Sequence, residues 1–159
     1  MGSVIGFPDQ VNEKAARTVA AGVGVLTAAT LVTGTWWMSA VLAAGFLARV
    51  LGGPRFSPLG LLATRVVAPR LGAPTTTPGP PKRFAQSIGL VVTTAAAIAW
   101  FAFGATGVSA GLLALLLVFA TLESVLGFCA GCWLFGRLMR TGLIPESTCE
   151  ACANLATRR

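Results

Sequence analysis

Residues 87–128 read SIGLVVTTAAAIAWFAFGATGVSAGLLALLLVFATLESVLGF, two apolar runs parted only by Gly104-Ala-Thr-Gly107. A helix needs about 17–25 predominantly apolar residues to cross a hydrocarbon core of ~30 Å, and the runs at 87–104 and 108–128 each supply them. A short uncharged link leaves room only for a tight turn, so the stretch predicts a helical hairpin. Upstream the pattern recurs as TVAAGVGVLTAATLVTG over 18–34 and TWWMSAVLAAGFLARVL over 35–51, with no polar spacer between them. The expected fold is therefore an all-α membrane protein with four transmembrane helices, about 18–34, 35–51, 87–104 and 108–128, arranged as two hairpins. Trp36 and Trp37 stand at the first turn, and Trp100, Phe101 and Phe103 near the second. Aromatic rings favour the membrane interface, so both turns are assigned to one face.

Composition agrees: 55% of the 159 residues are hydrophobic and 11% charged, against about 25% charged in a soluble domain. The net charge of +7 comes from twelve Lys and Arg against five acidic residues. These cations flank apolar runs and accompany no nucleic-acid-reading motif, so membrane lipids are the expected partner and nucleic acid is not. Lys14 and Arg17 precede the first run. Arg49, Arg55, Arg65, Arg70, Lys82 and Arg83 lie between the end of the second and the start of the third, and Arg137, Arg140, Arg158 and Arg159 follow the fourth. All twelve fall on one side, and cytoplasmic loops carry the Lys/Arg excess. An N-in, C-in multi-pass protein of the bacterial cytoplasmic (inner) membrane is expected. The N-terminus lacks the basic region and cleavage site of a removable signal peptide.

The organisation follows: a four-helix transmembrane domain over 1–143, with a cytoplasmic loop at 52–86, and a cytoplasmic Cys-rich tail over 144–159. Within the loop, Leu59, Leu62, Val66 and Val67 recur at near-helical spacing around Arg65, which predicts an amphipathic interfacial segment. The stretch from Pro74 to Pro81 is expected to be an exposed connector. Ala20, Gly24 and Ala28 on the first helix, and Ala40, Ala44 and Ala48 on the second, form small-residue ridges expected to pack inside the bundle.

The chain has no His and no Tyr, which excludes His-ligated haem, histidine general-base catalysis and His-containing zinc sites. Its four cysteines form Cys129-Ala-Gly-Cys132 and Cys149-Glu-Ala-Cys152. The spacing suits a four-thiolate Zn or Fe site, and it equally suits two dithiols that work by exchange. In a reducing cytoplasm a permanent disulfide is not expected. Ser147-Thr-Cys-Glu150 has the form of a capping box, which would start a helix at Thr148 and lower the pKa of Cys149. Cys129 follows the fourth helix, so its activation requires a break near Gly127 or Gly131. Either Cys149 or Cys129 is the expected nucleophile, with the second cysteine of its motif as resolving partner.

Glu123 is ionisable inside the fourth run, and such a group is a functional candidate by default. The expected partners are Arg49, Arg55 or Arg65, in a structural ion pair or a proton relay to the cysteines. Alternatively, the three arginines would collect a small sulfur oxyanion for transport.

Four blocks, Phe7-Pro-Asp-Gln-Val-Asn-Glu13, Gly53-Pro-Arg-Phe-Ser-Pro-Leu-Gly60, Pro80-Pro-Lys-Arg-Phe-Ala-Gln86 and Gly127-Phe-Cys-Ala-Gly-Cys132, resemble an uncharacterised family of small four-helix bacterial membrane proteins common in actinobacteria. The resemblance implies Cys129 and Cys132 as the core pair, and thioredoxin-like or sulfurtransferase proteins as partners. The expected function is membrane-associated thiol redox or sulfur transfer. The alternatives are a non-enzymatic subunit or scaffold with a four-Cys metal site, as a homodimer or part of a larger complex, and a sulfur-oxyanion transporter.

Overall fold

A computed structural model describes residues 6–150 and 152. The elements run β1 (Gln10–Asn12), α1 (Glu13–Thr33), α2 (Met38–Gly52), a tight turn Gly53–Phe56, then α3 (Pro58–Leu62), a wide turn Ala63–Val67 and α4 (Ala68–Arg70). After β2 (Thr76–Pro78) come α5 (Gly79–Phe103), α6 (Thr106–Thr121) widened over Leu122–Leu126, and α7 (Ala130–Arg140). β1 and β2 pair antiparallel with Val11 opposite Thr77.

The turns fall where the apolar runs meet. Gly34 and Gly104 take left-handed backbone, φ 70° and 60°, and close α1 and α5, a conformation glycine adopts without a Cβ penalty. Asn12 caps α1 by accepting from the Lys14 amide at 3.0 Å. Three helical stretches are long and apolar enough to cross a membrane: Glu13–Thr33, Gly79–Phe103 and Thr106–Leu126. α2 is shorter because Gly34–Trp37 is spent on the turn; its 15 residues extend only ~22 Å at about 1.5 Å per residue.

α5 begins at Gly79, well before the expected Ser87, and this corrects the connector assignment for Pro80 and Pro81. Both prolines sit in the first helical turn, where the missing N–H has no helical partner to lose. The shift moves Lys82, Arg83 and Gln86 from a loop onto a helix.

α1 packs on α6, α6 on α5 and α5 on α2, while α1 and α2 meet only slightly. The first hairpin thus straddles the second. Contacts are close because small residues face each other: Gly24 lies against Ala120, and Gly89 against the Phe46 ring. The ridge Ala20, Gly24 is buried as expected, but Ala40 and Ala44 are exposed, because α2 turns its Leu42 and Phe46 face inward instead. Buried Thr27, Thr30 and Thr93 donate to carbonyls within their own helices, so they need no distant partner. Many large apolar side chains also lie outside, Val32 at 86% and Val91 at 67% exposure, unlike the surface of a water-soluble bundle. α3 and α4 lean along α1, with Leu59 over Gly22 and Lys14 donating to the Leu71 and Ala73 carbonyls.

Candidate functional site

The end of the bundle that holds the first turns of α1 and α5 and the last turn of α6 contains a buried ion pair. Lys82, 4% exposed, donates to Glu123 at 2.7 Å and stands 3.5 Å from Glu13. Glu123 therefore has a lysine from α5 as its partner, not Arg49, Arg55 or Arg65 as expected. The cause is the early start of α5, which puts Lys82 on the helix face toward α6.

None of the three arginines is bonded to this pair. Arg49 is buried, donates to Gln86 at 2.8 Å and to Ser57 at 3.1 Å, and lies over the Phe46 ring. Arg55 and Arg65 are exposed and line a separate cleft with Gln10 and Asn12. The structure does not bring Arg49 together with the other two at one site.

Beyond Glu123 the fourth apolar helix breaks. The turn Leu122–Leu126 is wide, Gly127 is left-handed at φ 68°, and the chain restarts as α7 with Cys129 at its N-cap. Arg17 donates to the Ser124 and Val125 carbonyls left open by the break, at 2.8–3.2 Å. Gly131 presses on Ala85, and the Phe135 ring stacks at 5.6 Å on Phe84, which fixes α7 against α5. The Ala85 contact admits no side chain at 131.

Cys129 is thus a helix N-cap and not a C-terminal residue. Its sulfur accepts from the Cys132 amide at 3.3 Å. The Cys132 thiol, hydrogen-bonded to Cys129, holds the Cys129 pKa below that of an ordinary thiol; burial and Glu123 oppose this, and Lys82 reinforces it. Cys132 is pushed well up, first by that same hydrogen bond and then by burial. The two thiols are therefore unequal: one poised to ionise and one held protonated. Both are free and half-buried.

The tail differs from expectation. Cys149 and Cys152 are joined in a disulfide with Cα atoms 5.3 Å apart, a separation a disulfide spans readily. The expectation was of no permanent disulfide; in the structure this pair is bonded. A tight turn spans Glu146–Thr148 and helical backbone starts at Glu150, just after Cys149, two residues beyond the start at Thr148 that the capping box marks. Among the described residues no three metal-ligating side chains converge, so the two cysteine pairs are not brought together there.

An apolar cavity of about 210 Å³ opens beside Cys129, reaching from Glu123 and Gln86 to Phe46, Val92 and Leu116. The residues that sequence inspection missed here are Lys82, Gln86 and Arg17. For Lys82 and Gln86 the usable signal was the tolerance of prolines in a first helical turn.

Residues 11–140 match the family described as Domain of unknown function (DUF4395). No curated protein and no solved structure matches the chain. The chain belongs to this family, and the matched span takes in Cys129 and Cys132 and ends before Cys149 and Cys152.

Proposed function

We propose that this member of the DUF4395 family is a multi-pass protein of the bacterial cytoplasmic membrane, and that Cys129 and Cys132 are its working dithiol. In this proposal α2 completes a four-helix transmembrane unit over 1–143, with both termini and the tail at 144–159 in the cytoplasm. The observation that carries the assignment is the position of Cys129 at the N-cap of α7, with the Cys132 amide on its sulfur. A helix N-terminus favours an anion, and the thiolate is the form that exchanges.

The chemistry is thiol–disulfide exchange with a thiol protein of the thioredoxin or sulfurtransferase kind. A partner thiolate attacks Cys129 in the Cys129–Cys132 disulfide; a mixed disulfide forms and Cys132 leaves as a thiolate, taking up a proton. The partner's second thiolate then attacks its own sulfur in that mixed disulfide and displaces Cys129 as a thiolate. The partner is oxidised to a disulfide and the Cys129–Cys132 pair is reduced. Lys82 supports the Cys129 thiolate, and Glu123 is the proton relay for Cys132. The geometry favours this over a four-thiolate Zn or Fe site, because the tail pair is occupied by its own bond. It also favours it over oxyanion transport, because Arg49 is committed to Gln86 and Ser57.

The test uses the full chain in nanodiscs with Cys149→Ser and Cys152→Ser, so that one pair remains. The reduced protein is mixed with a chromogenic aromatic disulfide. Each protein should release two equivalents of aromatic thiolate, and Cys132→Ser should stop at one with the other held on Cys129. Two equivalents from Cys132→Ser, or an unchanged rate in Cys129→Ser, would overturn the assignment.

A further inference from the structure

We infer that the cavity beside Cys129 seats a lipid-soluble quinone, which takes the electron pair from the reduced Cys129–Cys132 dithiol. This rests on the dithiol assignment above and names the acceptor that the assignment leaves open.

The cavity has one polar end and apolar walls. Cys129, Glu123 and Gln86 form the polar end; Val19 and Val23 of α1, Phe46 of α2, and Leu116 and Phe119 of α6 form the walls. Along α6, Leu116 lies seven residues from Glu123, roughly 10 Å at ~1.5 Å per residue, which is the depth of one substituted ring. A partner protein's loop does not suit such a space, since its backbone would be left without hydrogen-bond partners. A void lined this way takes an apolar guest. Phe119 and Leu134 are 40% and 39% exposed, so the wall they form opens outward between α6 and α7, where an isoprenoid tail can leave. α6 and α5 are among the stretches apolar enough to cross a membrane, so the guest arrives from lipid. An acyl chain would fit the walls but would not react with a thiol. A quinone does both, and its carbonyl oxygen needs a donor, which the Gln86 side-chain amide supplies at the polar end.

The step balances within the site. The Cys129 thiolate adds to a ring carbon, forming a carbon–sulfur bond, and the displaced electron pair moves to a carbonyl oxygen, which takes a proton. Cys132 gives up its proton and attacks the Cys129 sulfur. The sulfur–sulfur bond forms as the carbon–sulfur bond breaks, and that pair moves through the ring to the second carbonyl oxygen, which takes the proton Cys132 gave up. The dithiol loses two electrons and two protons, counting the one Cys129 shed on ionising, and the quinone becomes quinol.

The experiment takes reduced full-length protein in nanodiscs, with Cys149→Ser and Cys152→Ser, and adds decylubiquinone anaerobically. This ring is fully substituted, so non-specific arylation of thiols is suppressed. One quinol should form per protein with loss of both thiols. Val92→Trp and Ile88→Trp each fill the cavity from α5 and should slow quinol formation at least tenfold, while their reaction with the aqueous aromatic disulfide stays at the parent rate. That second rate reports a folded site in each variant. Protein that reacts with the aromatic disulfide but makes no quinol overturns the quinone site and spares the dithiol assignment; so do filled variants that make quinol at the parent rate. Thiols inert to both reagents overturn the dithiol assignment itself.

Discussion

Cys129 and Cys132 occupy equivalent places in their motif yet differ chemically, because one accepts hydrogen bonds and the other donates. The alkylation rate of Cys129 by iodoacetamide should therefore reach half its maximum below the ordinary thiol range near ~8.5, with Cys132 silent across the same range. The neighbours give opposite signs. Lys82→Met removes the cation that favours the thiolate and should move the midpoint up; Glu123→Gln removes the carboxylate that opposes it and should move the midpoint down. Shifts of the same sign would rule out the electrostatic account. Lys82→Met also leaves Glu123 and Glu13 facing each other without a cation, a loss on the order of 3–5 kcal/mol for a broken buried pair. The cysteines were legible in the sequence from their spacing alone. The partner of Glu123 was not, because an ion pair between helices depends on where each helix starts, and Lys82 read as part of the cytoplasmic loop at 52–86.

The break between α6 and α7 makes the site, and three residues maintain it: Gly127, Arg17 and Gly131. Arg17→Ala removes the donors to the Ser124 and Val125 carbonyls and should cost about 1–3 kcal/mol, read as a lower midpoint in detergent denaturation. Gly131→Val drives a side chain into Ala85 and should lift α7 from α5, so that Cys132 becomes open to alkylation without any change in its own side chain. Protected Cys132 in that variant would mean that α7 is held by something other than this contact. The break near Gly127 or Gly131 that an activated Cys129 requires falls at Gly127. α7 was not legible in the same way, for its single buried side chain is Phe135. The apolar spacing over 57–68 predicts a helix, and the chain is helical over 58–70 in three consecutive pieces.

At the scale of the whole molecule, the alternation of apolar runs and basic segments gave the hairpin turns at Gly34 and Gly104, but could not say which helices touch. Pairing depends on where small residues oppose each other, and Gly24 faces Ala120 of α6 in place of α2. The proposed orientation has a direct check. In a cysteine-free chain, single cysteines at Thr35 and Thr106 should react with an impermeant thiol reagent on intact cells, whereas one at Ala73 should react only after the membrane is opened. The reverse pattern would invert the orientation, and labelling at all three without permeabilisation would deny that the chain spans. The small ladder of β1 and β2 joins the entrance of α1 to the entrance of α5, and Gly79 donates to the Asp9 carbonyl at 2.7 Å beside it. Its two strands lie on either side of the entire first hairpin in the chain. During synthesis β1 leaves the ribosome long before its complement, and must wait unpaired until β2 emerges. The ladder is therefore a late clasp in biogenesis: when it closes, it sets the height of α5 against α1 and carries Lys82 to Glu13 and Glu123.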